Sequence, residues 1–163
     1  MADKLRVIIT DCQKEVKIPT GIRMLIRRCC HAILETEGFK GSAEIGITFT
    51  EDKELKKLSL QYFGKETDEA VISLPAGENG EYDEDRVTGA KILGSIVISV
   101  KKAVEQSKAY DHSFQREMAY LTAHGVLGLL GYSYDGAMEK VSMREKEEWA
   151  LYQLGLPASR SYF

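Results

Sequence analysis

The stretch Arg116-Glu117-Met118-Ala119-Tyr120-Leu121-Thr122-Ala123-His124-Gly125-Val126-Leu127-Gly128-Leu129-Leu130-Gly131-Tyr132-Ser133-Tyr134 decides the fold. From Met118 to Tyr134 it carries no Asp, Glu, Lys or Arg. Met118, Leu121, Ala123, Val126, Leu127 and Leu129 lie all around a helical axis rather than along one stripe. A helix of that kind is buried on every side. It also holds His124 and three glycines, and it is too short to span a bilayer. Ser113 is placed to cap it, and its end is predicted near Leu130. The rest of the chain must supply the elements that cover it.

Working outward, Ile92 to Ile98 is nearly continuous apolar sequence, which predicts a central strand covered on both faces. Ser99 then caps a helix running to about Tyr110. Val71 to Leu74 reads as another strand, closed by Pro75. Residues 76–91 read as a long polar loop whose acidic cluster, Asp83, Glu84 and Asp85, lacks the spacing of an EF-hand. Val7 to Ile9 predicts a short buried strand. Pro19 suits a first helical turn, followed by the stripe Ile22, Leu25, Ile26, Cys29 and Ile33, with Gly38 as the stop. Ala43, Ile45, Ile47 and Phe49 alternate as in a half-buried strand. Thr50 is placed to cap a helix in which Leu55, Leu58 and Tyr62 share a face. A last helix is predicted from about Ala137 to Leu154, with a Ser142/Glu145 capping-box pattern that predicts a restart inside it. The order predicts one α+β domain over residues 1–163, a small mixed β-sheet packed with helices.

Composition narrows the function classes. Of 163 residues, 44% are hydrophobic and 29% charged, which excludes global disorder. The net charge of −3 excludes a generally basic coat and leaves room for a local basic surface. Cys12, Cys29 and Cys30 are odd in number and lack CxxC spacing, so reduced thiols and a cytoplasmic location are expected, with no membrane segment. Cys29, Cys30 and His31 are consecutive, so on a helix they cannot chelate together. His112 is expected in a loop near a helix start.

The segment 116–134, with Val71-Ile72-Ser73-Leu74-Pro75, Gly94-x-Ile96-Val97-Ile98-Ser99 and the Met143/Glu147 spacing, resembles the YbeY family over nearly the whole chain. Those proteins are bacterial metal-dependent single-strand endoribonucleases of ribosomal RNA maturation and ribosome quality control. The family pattern H-G-x-L-H-L-x-G-Y-D-H supplies three zinc-binding histidines. By that resemblance His124 occupies the first position, Gly128 the second and Tyr134 the third. Ser133 stands where the family has Asp before its third histidine. The resemblance likewise sets Ala70 and Ser95 at positions of family aspartates, and Phe63 at that of an arginine.

The resemblance therefore implies a zinc enzyme, while these residues point away from one. A lone imidazole does not hold zinc in a site built for three, and a phenol ligand would have to ionise. No cofactor is expected. The first reading is a YbeY-like protein of ribosome biogenesis, a pseudoenzyme binding RNA, a ribosomal protein or a ribosome-associated factor. Arg23, Arg27 and Arg28, with Lys53, Lys56 and Lys57, are its candidate phosphate contacts. One alternative is an active zinc endoribonuclease of 16S rRNA processing with a non-standard site. Another is a reworked small-molecule pocket around Phe63, Glu69, His124 and Tyr134, with Glu69 or His124 as general base. Without zinc to hold that junction, Tyr134 is expected to bury into space left at Gly128, Ala70 or Ser95, whereas an exposed Tyr134 would leave an open pocket and favour the small-molecule reading.

Overall fold

A computed structural model describes residues 4–78, 80–133 and 136–156. The elements in chain order are β1 (Leu5–Asp11), α1 (Ile22–Thr36), β2 (Ala43–Thr50), α2 (Asp52–Phe63), β3 (Val71–Pro75), β4 (Lys91–Ser99), α3 (Val100–Ala109), α4 (Phe114–Leu129) and α5 (Ala137–Gln153). The sheet order is β1-β2-β4-β3. β1, β2 and β4 run parallel, and β3 is antiparallel to β4. This is the mixed-sheet α+β architecture read from the sequence.

The apolar run of β4 fits its interior place, since Leu93, Ile96, Val97 and Ile98 are all buried. Alternation along the strands sorts side chains to two faces. Ile96 and Ile98 join Ile45, Ile47, Phe49 and Val71 in one large core with α1 and α4. Val97 and Ile72 pack on the other side with Leu55 of α2. The two helices α1 and α2 thus cover opposite faces of the sheet. Each buried Leu or Ile side chain contributes about 1.5–3 kcal/mol toward offsetting chain entropy.

Ser99 and Ser113 cap α3 and α4, accepting hydrogen bonds from the backbone N–H of Lys102 and Arg116. Four local expectations change. Thr50 ends β2, and Glu51 in extended conformation precedes α2. Asp52 and Glu54 in the first turn favour that helix end through its dipole. Pro19 lies ahead of α1, which starts after Gly21 in the left-handed region. α5 runs unbroken through Ser142 and Glu145, with no restart. Of the predicted α2 face, Leu55 is buried but Tyr62 is exposed.

Candidate functional site

α4 is buried along nearly its whole length, so any polar group on it needs a partner. Its N-terminal half borders a cleft of about 340 Å³ whose lining includes Glu69, Ala70, Tyr110, Tyr120 and His124. Three hydrogen-bonded pairs of polar side chains surround that cleft. Arg116 donates from Nη2 to both carboxylate oxygens of Glu148 on α5, at 3.0 and 2.9 Å. His112, in the loop before α4, shares a 2.6 Å hydrogen bond between its Nε2 and Oε1 of Glu117. His124 donates from Nδ1 to Oε2 of Glu147 on α5, at 2.7 Å.

Glu117 and Glu147 are both withdrawn from solvent. Burial pushes the Glu117 carboxyl above the usual carboxylate range, against the opposing pull of the His112 hydrogen bond and the Arg116 charge. Its second oxygen, Oε2, is buried with no hydrogen-bond partner among the described residues. The carboxylate of Glu147 fixes the orientation of the His124 ring, as a second group behind a functional imidazole does.

The C-terminal half of α4 is closed by direct contact. A Cβ at Gly125 would come within 2.7 Å of Ile96 Cγ2. A Cβ at Gly128 would come within 2.5 Å of Ser73 Oγ and 2.9 Å of Ser73 Cβ. The two glycines let the helix backbone lie on β3 and β4. The Ser73 hydroxyl completes the junction by donating to the carbonyl of Gly125 at 2.8 Å. Space left by the missing side chain at Gly128 is therefore taken by Ser73, not held open for an aromatic ring.

Comparison with known proteins gives this arrangement a lineage. Residues 8–155 match the profile of the family described as Endoribonuclease YbeY. The chain belongs to the YbeY family. Endoribonuclease YbeY of Desulforamulus reducens is 36% identical over 152 residues, covering 93% of this chain and 99% of that protein. Endoribonuclease YbeY of Caldanaerobacter subterraneus subsp. tengcongensis is 39% identical over 157 residues, covering 93% and 99%. In fold, the chain is similar to the solution structure of TM1509 from Thermotoga maritima, with a TM-score of 0.55 at 17% identity, covering 96% of this chain and 97% of that one.

The zinc implied by the YbeY resemblance can be tested against the side chains present. Position 128 offers no donor and lies against Ser73. Tyr134 falls outside the described residues. Among the described residues, no group of three His, Cys, Asp or Glu side chains converges as a metal site. A three-histidine zinc centre does not fit these residues.

The structure brings together only part of the proposed site. His124, Ala70 and Glu69 border one cleft. Ser95 lies across the sheet, with Tyr62 and Gly46 in a shallow groove, because its neighbours Gly94 and Ile96 face α4. Phe63 is exposed at the end of α2, and Ser133 is exposed beyond Tyr132. The basic residues also divide. Arg23, Arg27 and Arg28 are exposed on α1, while Lys53, Lys56 and Lys57 sit on α2 across the sheet. Lys56 pairs with Asp52 at 3.5 Å and Lys57 with Glu54 at 3.3 Å. One continuous surface of all six does not form.

Other sulfur and imidazole groups are accounted for. Cys29 donates from Sγ to the Ala119 carbonyl at 3.3 Å, and burial raises its pKa. Burial likewise pushes Cys30 up to about 12, so neither thiol is poised to react. His31 is exposed and pairs with Glu35 at 3.2 Å. Sequence reading missed the Arg116–Glu148 and His112–Glu117 pairs. The adjacent charges Arg116 and Glu117 at the head of an apolar helix were the available signal, since such charges need partners once buried.

Proposed function

We propose that this YbeY-family protein binds single-stranded RNA in ribosomal RNA maturation and does not cleave it through a three-histidine zinc site. The contact between position 128 and Ser73 carries this reading. Where a second metal-binding imidazole would have to stand, the helix is packed on the sheet. Relatives that carry an endoribonuclease name support RNA as the partner class. No helix among the described residues is long and apolar enough to cross a membrane.

The test is a filter-binding titration with single-stranded RNA beside a gel assay of the same RNA, with zinc added. Saturable binding with intact RNA is expected. Zinc-dependent cleavage that His124→Ala abolishes would overturn the reading. A second reading, a small-molecule pocket, draws on the cleft that Glu69 and His124 both border. Ligand-dependent rises in melting temperature measure that directly.

A further inference from the structure

Two aromatic side chains of α5 stay out of the core. Trp149 and Tyr152 stack on each other, with ring centroids 5.8 Å apart and planes 15° from parallel. They nonetheless remain 49% and 63% exposed. Two large rings left side by side in water present a flat apolar surface without contributing their area to the core. Across a shallow depression from Trp149 lie Arg27 and Arg28 of α1, with His31 beyond them. Arg23 precedes Arg27 by four residues, hence on the same side of α1. Among the described residues, none of the three arginines has a carboxylate within ion-pair distance. The one acid in the depression that pairs locally, Glu35, is engaged with His31.

We infer that this α1–α5 face is a stacking platform for single-stranded RNA. The inference rests on the RNA-binding reading and assigns that reading a surface. Every base has a π-face, so a flat exposed indole next to a phenol accepts bases of any sequence. Guanidinium groups beside it suit the phosphates that follow the base along the strand. An overall charge of −3 makes such a local concentration of arginine the feature a polyanion would find. An acidic peptide would engage the arginines but has no ring to lay on the parallel Trp149–Tyr152 pair, so RNA is the better match.

Trp149 is the only tryptophan in the chain, so its emission reports this surface alone. The experiment titrates the full chain at low salt with a single-stranded oligoribonucleotide of about 12 nucleotides. Tryptophan emission and the anisotropy of end-labelled RNA are read in parallel. Saturable quenching is expected with the same midpoint as the anisotropy change, and both midpoints should move to higher RNA as salt rises. The double variant Arg27→Ala, Arg28→Ala should weaken binding on the order of tenfold with an unchanged melting curve. Tyr152→Ala should weaken it on the order of tenfold as well. If anisotropy reports binding while emission stays flat and both variants bind like the parent, RNA docks elsewhere and the platform is wrong, although the RNA-binding reading stands. Quenching by an acidic peptide but not by RNA also overturns the platform. If anisotropy shows no binding at any salt, the RNA-binding reading itself fails.

Discussion

Between Arg116 and His124, α4 is anchored by hydrogen-bonded polar pairs to the preceding loop and to α5, whereas between Gly125 and Leu129 its backbone lies directly on β3 and β4. The first half keeps polar groups oriented beside a cleft. The second half has no polar side chains of its own and is held by close approach to the sheet, by the burial of Val126, Leu127 and Leu129, and by hydrogen bonds that the Ser73 and Tyr82 hydroxyls donate to its carbonyls. The difference teaches where this YbeY scaffold tolerates change. A paired charge fails when its partner is removed, and a contact-closed glycine fails when anything is added.

The largest effect is expected in the polar half. Glu117→Ala removes a buried carboxyl to which His112 is hydrogen-bonded and leaves a cavity beside it, and loss of a buried hydrogen-bond partner costs about 1–3 kcal/mol before the cavity is added. A denaturant titration checks this. A change within about 0.5 kcal/mol, the range of surface substitutions, would mean that the polar pairs do not hold that half.

A smaller, pH-dependent effect marks the exposed end of the glycine half, where Tyr132 donates to Glu37 and Lys146 donates to the other oxygen of that carboxylate at 2.7 Å. The Glu37 hydrogen bond is the main reason that Tyr132 and Lys146 are each held above their ordinary values, 10.0 and 10.5. A group raised in the folded state contributes fully below its unfolded pKa and loses that contribution as pH rises through the folded one. Lys146→Met should therefore cost below about 1 kcal/mol at neutral pH, and the gap to the parent should narrow above pH 10. Paired denaturation curves at about pH 8 and about pH 11 give the comparison. A gap that widens with pH would show that the Glu37 junction is not what Lys146 supports.

Much of the fold was legible because its signals are local. The continuous apolar run of β4, the all-round burial of α4 and the caps Ser99 and Ser113 each depend on neighbours a few residues away. The site was less legible because its contacts are long-range. Nothing periodic joins Arg116 to Glu148 on another helix, or Gly128 to Ser73 on a strand. Strand alternation could have placed Ser95 correctly, since Ile96 and Ile98 toward α4 send Ser95 and Val97 across the sheet. The α1 arginines were visible in sequence. Their aromatic neighbour Trp149 was not, because charged residues surround it along α5 and hide any apolar stripe.

The most direct test of contact closure at the second ligand position is the stability of Gly128→Ala. At an open helical position this change should stabilise by about 1 kcal/mol through helix propensity. Here the added methyl must displace Ser73, whose Oγ and Cβ stand 2.5 and 2.9 Å from it, and overpacking costs about 1–3 kcal/mol. The account predicts a lower denaturation midpoint with an unchanged slope. A midpoint raised by the full propensity gain would show that position 128 faces open space, and that a metal-binding side chain could stand there after all.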